Sequence, residues 1–174
     1  MQSSSMRRHI RKLAPVVVLI PVFLLIGVSG CTRPVEEARE AYNKGDYKTA
    51  YRIFKPHAEQ GDVDAQFSLG EMSKKGQGVP RDDAEALKWY RRAADQGHAD
   101  AQNNLGIIYT LGKGVPVDYV QALMWYSIAA SNTSEGTERA GAVSNRDAIP
   151  SMMTPTQVVQ AQNMARELNP KKEK

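Results

Sequence analysis

Cys31 is the residue with the clearest chemistry in the sequence. It is the only cysteine in the chain, so its thiol cannot form an intramolecular disulfide. It directly follows Val28, Ser29 and Gly30 at the end of an apolar segment, residues 13–28, which is shorter than the roughly 20 residues that span a bilayer. Basic residues precede that segment, namely Arg7, Arg8, Arg11 and Lys12. This order predicts a cleavable secretory signal over residues 1–30 that ends at a reactive thiol.

The rest of the sequence offers no pattern for catalysis or metal binding. His9, His57 and His98 are far apart, and none has a histidine or cysteine at ligand spacing. No serine lies in a Gly-x-Ser-x-Gly elbow. The Gly-x-Gly-Val-Pro segments at 76–80 and 112–116 lack the third glycine and the Lys-Ser/Thr of phosphate-binding loops. We therefore predict no catalytic residue, no metal and no cofactor.

The charge of the chain argues against nucleic acid as a partner. The full sequence has 23 basic and 19 acidic residues, a formal charge of +4. Residues 1–30 contain four basic residues and no acidic one, so their removal leaves 19 of each sign. A mature chain without net charge gives little support to nucleic acid as a partner.

A 36-residue block occurs twice without a gap, at 61–96 and 97–132, and 17 of its positions are identical. Such a period is typical of a solenoid. Each copy reads as two helices joined by the Gly-x-Gly-Val-Pro segment, because proline after a capping glycine prevents the first helix from continuing. Asp82 and Asp118 are predicted to cap the second helices, and Gly70 and Gly106 to permit close helix contacts. The predicted fold is an all-α, α/α superhelical solenoid.

The flanking segments predict incomplete repeats. Residues 31–60 match the repeat at the same register but have a shorter loop, so they form a degenerate N-terminal repeat. Residues 133–170 are predicted to form C-terminal capping helices, one over about 136–147 and one that begins after Thr154 with an apolar stripe. The stripe consists of Val158, Val159, Ala161, Met164, Ala165 and Leu168. Residues 171–174 are a basic tail.

Val28-Ser29-Gly30-Cys31 resembles the lipobox of bacterial lipoproteins. The resemblance implies that the Cys31 thiol is diacylated, that the chain is cut before it, and that the new amino group is acylated. Several acyl chains form a stable membrane anchor. Thr32 follows the cysteine, and this resembles the pattern for sorting to the outer membrane, with the protein facing the periplasm.

The repeated motif is similar to that of the Sel-one-like repeat family, which is related to tetratricopeptide repeats. The similarity rests on Ala-Gln-x-x-Leu-Gly, Gly-x-Gly-Val-Pro, Asp, Ala-x-x-Trp-Tyr and Ala-Ala, from Ala65 to Ala94 and again 36 residues later. It implies a superhelix whose concave side binds partner proteins. Some cysteine-rich relatives bind or hydrolyse penicillin-like compounds, but that activity depends on disulfides that this chain cannot form.

The positions that differ between the two repeats are the candidates for partner binding. They lie at helical spacing on the first helix of each repeat: Phe67, Glu71 and Lys74, then Asn103, Ile107 and Thr110. An exposed Phe67 or Ile107 would suit a partner helix or peptide, whereas the alternative is that both pack against neighbouring first helices.

The sequence as a whole favours a non-enzymatic scaffold, anchored by lipid in the bacterial cell envelope, that binds an unidentified partner protein. Two alternatives stay open. One is a module that binds peptidoglycan or a small ligand, which a groove of exposed aromatic and amide side chains would favour. The other is a cell-wall hydrolase, which would need a catalytic carboxylate or histidine in a cleft.

Overall fold

The computed structural model describes residues 33–133 and 137–169, and every regular element in these ranges is helical. The elements are α1 (Arg33–Asn43), α2 (Tyr47–Glu59), α3 (Val63–Lys75), α4 (Asp83–Asp95), α5 (Ala99–Leu111), α6 (Tyr119–Asn132), α7 (Thr137–Ala148), a 3₁₀ turn (Ile149–Met152) and α8 (Pro155–Leu168). The predicted signal, Cys31 and the tail at 171–174 lie outside the described residues. No helix of the described ranges has both the length and the apolar character that crossing a bilayer requires.

The helices pack as successive pairs, and this confirms the predicted solenoid. Each first helix packs on the second helix of its own pair and on that of the preceding pair, so α3 contacts α4 and α2, and α5 contacts α6 and α4. The first helices α1, α3 and α5 make their main contacts with second helices rather than with one another. A continuous apolar interior therefore runs along the stack.

The N-caps of the second helices show that one period runs through all four pairs. They are Asp46, Asp82, Asp118 and Thr154, at intervals of 36 residues, and each accepts a hydrogen bond from the first turn of its helix. Thr154 also forms a capping box with Gln157. The prediction of Asp82, Asp118 and Thr154 as caps is confirmed.

Glycines of the connecting segment join each repeat to the one before it. Gly76 and Gly112 end α3 and α5 in the left-handed conformation, with φ of 69° and 65°. Gly114 also has positive φ, and a Cβ there would lie 3.1 Å from the Ala84 nitrogen at the start of α4. Gly78 faces the Tyr47 carbonyl at the start of α2 in the same way. The loop of one repeat therefore rests on the start of the preceding second helix.

The predicted close contact at the glycines within α3 and α5 is confirmed, and a tyrosine ring of the partner helix makes it. A Cβ at Gly70 would lie 2.7 Å from Cδ1 and Cε1 of Tyr90, and a Cβ at Gly106 would overlap the ring of Tyr126. Both tyrosines are buried. Only glycine permits this approach of the two helices.

A pair of buried glutamines links consecutive repeats through their side-chain amides. Gln66 donates from Nε2 to the Ala58 carbonyl at the end of α2, at 3.0 Å, and its Oε1 accepts from Gln96 Nε2 at 2.8 Å. In the same way, Gln102 donates from Nε2 to the Ala94 carbonyl, and its Oε1 accepts from Asn132 Nδ2, both at 3.0 Å. This explains the Ala-Gln element of the repeat, since a buried amide needs partners for both its donor and its acceptor.

The last pair keeps the period but packs differently. Both α7 and α8 pack on α6 rather than chiefly on each other. The position of Gly70 and Gly106 is taken here by Ala142, and that of Tyr90 and Tyr126 by Gln162, so the contact that closes the other pairs is missing. The predicted apolar stripe of α8 is only partly buried: Ala161 is inaccessible, whereas Val159 and Leu168 are more than half exposed.

Candidate functional site

The first helices form a surface with a pocket between α1 and α3. We call the surface that α1, α3 and α5 present away from the second helices the first-helix face. The pocket has a volume of about 440 Å³. Phe54 of α2, which is only 1 % exposed, is the most deeply buried residue of its lining. The other lining residues are Arg39, Tyr42, Asn43, Phe67, Ser68, Glu71 and Lys75.

Glu71 is the centre of a polar cluster beside this pocket. Its Oε1 accepts hydrogen bonds from the Tyr90 hydroxyl at 2.5 Å and from Asn104 Nδ2 at 3.1 Å. Its Oε2 pairs with Lys75 Nζ at 2.6 Å, and Oε1 lies 3.5 Å from Lys74 Nζ. We call these five residues the Glu71 cluster. It joins α3 to α4 and α5 at the first-helix face.

The surroundings of Glu71 keep its carboxylate ionised. Burial by itself would raise the pKa of Glu71, but the hydrogen bonds from Lys75 and Tyr90 and the charge of Lys74 outweigh it, so the pKa is lowered. Burial raises the pKa of the Tyr90 hydroxyl, and the hydrogen bond to Glu71 raises it further. The pair is therefore a neutral donor and a charged acceptor, an arrangement that makes a strong hydrogen bond.

The corresponding surface of the next repeat is uncharged. Ile107, Thr110 and Leu111 stand 36 residues after Glu71, Lys74 and Lys75. Thr110 donates its single hydroxyl hydrogen to the Gly106 carbonyl at 2.8 Å, so Tyr126 must donate in the 3.3 Å contact between the two hydroxyls. The three positions that are charged on α3 are thus uncharged on α5.

Phe67 and Ile107 are half-buried rather than exposed. The ring of Phe67 stacks on the imidazole of His98 with centroids 4.4 Å apart, so it packs against the start of the next first helix. His98 is also the N-cap of α5, since its Nδ1 accepts from the Ala101 nitrogen. Ile107 packs in the cluster around Tyr126. The alternative interpretation expected both to pack against neighbouring first helices; Phe67 does so at the start of α5, whereas Ile107 packs with residues of α6.

The six residues singled out from the sequence separate into two groups. Phe67, Glu71 and Lys74 lie together on α3 at the pocket and the Glu71 cluster. Asn103, Ile107 and Thr110 lie on α5, where Asn103 accepts from Asn145 Nδ2 of α7 at 3.1 Å. The structure adds Arg39, Tyr42, Lys75 and Asn104 to the surface. Tyr42 was not found from the sequence because the loop between α1 and α2 is shorter than the loop of the two full repeats. Residues of α1 therefore have no counterpart in α3 at a distance of 36 positions.

A second cavity of about 740 Å³ lies at the carboxyl ends of α4, α6 and α8. Its carboxamides bond to one another: Asn132 Nδ2 donates to Gln102, and Asn169 Nδ2 donates to Asn132, both at 3.0 Å. Its one aromatic side chain, Trp125, is 2 % exposed and covered by the Arg91 guanidinium, 4.9 Å from the ring centroid. This groove does not present the exposed aromatic face that a carbohydrate-binding module needs.

Within the described ranges, no three His, Cys, Asp or Glu side chains are grouped as ligands for a metal ion. Glu71, the half-buried carboxylate of the pocket, is ionised and occupied by four polar neighbours. A general acid needs the opposite environment, one that raises the pKa of a carboxyl group. The geometry of this surface suits recognition rather than proton transfer.

A stack of helix pairs with varied side chains on one face defines an α/α solenoid, a class of fold whose extended surface binds other proteins. Two matches to the Sel1 repeat model cover residues 63–98 and 99–134, two residues later than the blocks read from the sequence. The chain therefore contains two Sel1 repeats, and such repeats are generally interaction modules without catalytic activity.

Two solved structures are similar to this chain. One is a protective antigen present in uropathogenic Escherichia coli strains that displays an SLR fold, with 32% identity and a TM-score of 0.74. The alignment covers 82% of this chain and 30% of that one. The other is a Sel1 repeat protein from Oxalobacter formigenes, with 30% identity, a TM-score of 0.61, and coverage of 80% and 61%. The chain thus spans about a third and about three-fifths of these relatives. No curated protein matches it significantly.

Proposed function

We propose that this protein is a lipid-anchored scaffold of the bacterial cell envelope that binds a partner protein through its first-helix face. The pocket between α1 and α3 is the observation that carries the proposal. It combines aromatic walls, Tyr42 and Phe67, with charged groups at its rim, and its lining residues are half-buried or exposed except for Phe54. Partly exposed aromatic and charged side chains in one concavity are typical of protein-recognition sites.

The proposed anchor rests on the sequence around Cys31. A basic segment, an apolar segment and Val28-Ser29-Gly30-Cys31 follow in the order of a lipoprotein signal. Acylation of Cys31 would hold the repeats at the membrane surface, and Thr32 favours the outer membrane with the repeats in the periplasm. The described part of the structure begins two residues later, at Arg33 of α1. The pair formed by α1 and α2 would therefore be the part of the stack nearest the anchor.

The partner-binding proposal is tested by crosslinking in intact cells. A photoreactive amino acid replaces Asn43, which is exposed and lines the pocket, and in a matched control it replaces Lys88, which is exposed on the second helix α4. We expect one protein to be captured at position 43 and not at position 88. Capture at neither position, or equal capture at both, would reject binding through the first-helix face.

The anchor is tested separately with Cys31→Ala. We expect the variant to appear in the soluble or unprocessed fraction while its repeats remain folded, because Cys31 precedes α1. A variant that stays membrane-bound and fully processed would show that the lipoprotein assignment is wrong. The two experiments are independent, since loss of the anchor leaves the pocket intact.

A further inference from the structure

The charges on the first-helix face are not balanced around the pocket. Arg39 is paired with Asp64, with Nη2 and Oδ2 2.6 Å apart. The other carboxylate there, Glu71, is shared by two lysines. The residues of the pocket and of the Glu71 cluster, together with Asp64, therefore have one positive charge in excess.

Lys74 is the cation whose charge is least compensated. Lys75 has a close contact with Glu71, at 2.6 Å, whereas Lys74 Nζ has only long contacts of 3.5 Å to Glu71 and 3.4 Å to Asn104. Its side chain is 34% exposed, and Nζ lies 5.9 Å from the centre of the Tyr90 ring. A half-buried ammonium group is less well screened by water than a surface one, so it gains more from a new anionic partner.

The residues near Lys74 indicate which chemical groups would lie next to an anion bound to it. Its neighbour Lys75 lines the pocket that has Tyr42 and Phe67 as aromatic walls. Helix α5 presents Ile107 and Thr110 without a charge. A segment with a carboxylate next to an apolar side chain would pair its charge with Lys74 and place the apolar group in the pocket. A basic segment would leave Lys74 and Lys75 facing like charge.

We propose that the first-helix face recognises an acidic segment of a partner protein, in which a carboxylate side chain pairs with Lys74 and Lys75 and a neighbouring apolar side chain enters the pocket between α1 and α3. This inference rests on the proposed function and specifies the chemistry of the partner. The carboxylate adds to Glu71, which lies 2.6 Å from Lys75 but 3.5 Å from Lys74. Selection between partners then depends on charge as well as on shape.

The test uses three synthetic peptides with blocked termini and the full-length protein in detergent. The first has two aspartates flanking one phenylalanine between glycine and serine residues; the second has lysine for aspartate; the third has alanine for phenylalanine. Binding is measured by the anisotropy of a fluorescent label. We expect the acidic peptide to bind about tenfold more tightly than the basic one and to weaken as salt is raised. We also expect loss of the phenylalanine to weaken it.

Two charge reversals identify the site. Lys74→Glu is expected to weaken the acidic peptide by about tenfold. Lys88→Glu makes the same change on α4, where the lysine pairs with Glu85 away from the pocket, and is expected to have no effect. Lys74→Met removes the charge without reversing it and should give an intermediate loss. Far-UV circular dichroism checks that all three variants are folded.

Several outcomes would overturn the inference. These are equal binding of the acidic and basic peptides, equal binding of the peptides with and without phenylalanine, and an unchanged affinity in Lys74→Glu. Binding to vesicles of phosphatidylglycerol that Lys74→Glu abolishes, without binding of the acidic peptide, would assign the lysines to a lipid surface instead. If crosslinking at position 43 still captures one protein while the peptides fail, the scaffold function stands and only the acidic chemistry of its partner is wrong.

Discussion

Gly70→Ala should destabilise the protein although alanine favours helices. The added Cβ would lie 2.7 Å from two ring carbons of Tyr90, so the ring must withdraw by about 1 Å to reach an ordinary carbon–carbon separation. Tyr90 is fully buried, and its hydroxyl is fixed on Glu71 at 2.5 Å. The ring therefore cannot withdraw without loosening the packing of α3 on α4 and stretching that hydrogen bond.

The magnitude follows from three contributions. Overpacking a core costs about 1–3 kcal/mol, and losing a hydrogen bond to a charged group costs about 1.5–3 kcal/mol. Replacing glycine by alanine within a helix returns about 1 kcal/mol. We expect a net loss of about 1.5–5 kcal/mol in the free energy of unfolding.

Gly141→Ala is the matched control. Gly141 is exposed in α7, and a Cβ there would meet no atom within 4 Å. Only the helix-propensity contribution remains, so this variant should be more stable than the wild type, by up to about 1 kcal/mol. Both variants are measured by urea unfolding of the full-length protein followed by far-UV circular dichroism. A Gly70→Ala protein at least as stable as the wild type would refute the close contact between Gly70 and Tyr90.

Three further predictions concern α3 and α4. Trp89 is 5% exposed in the apolar cluster with Phe54, and Trp89→Ala should cost about 3–5 kcal/mol; an unchanged urea midpoint would show that the ring is not in the core. Ser73 is 1% exposed and its hydroxyl has no partner, so Ser73→Ala should raise the free energy of unfolding by about 1 kcal/mol, and a lower stability would contradict this. The lowered pKa of Glu71 predicts a contribution to stability that is complete above the ordinary carboxyl pKa and is lost as the pH falls through the lowered value. Glu71→Gln should therefore lose less stability between neutral and acidic pH than the wild type, and parallel stability curves for the two would reject the role of Glu71.

The features that the sequence predicted correctly depend on neighbouring residues or on the 36-residue period. A cap such as Asp82 bonds to amides two and three residues later, and Thr154 followed by Pro155 starts α8 for the same local reason. The contact at Gly70 was predicted because the 36-residue repeat places the same glycine in two helices. A period shows which residues have equivalent positions before any contact is known.

The features that the sequence did not predict depend on contacts between distant segments. His98 caps α5 where Asp62 caps α3, and its imidazole also stacks on Phe67, which is 31 positions earlier in the chain. Tyr42 reaches the pocket from a pair without the usual loop, and its hydroxyl donates to Gln77 at 2.9 Å. Asn104 joins the Glu71 cluster from the next repeat. Neither Tyr42 nor Asn104 belongs to the repeated motif.

The repeated tyrosine connects the two parts of this protein, the stack and its variable surface. The ring of Tyr90 holds α3 and α4 together at Gly70, while its hydroxyl reaches the side chain one position after that glycine, on the first-helix face. In the first full repeat that position is Glu71, and the hydroxyl orients a carboxylate that two lysines share. In the next repeat the position is Ile107, and the Tyr126 hydroxyl turns to Thr110 instead. Because the buried ring is fixed by packing, the surface residue that bonds to it is held in place before any partner arrives. A recognition surface built in this way loses little conformational entropy on binding, which lets a short stack of repeats bind a partner with few contacts.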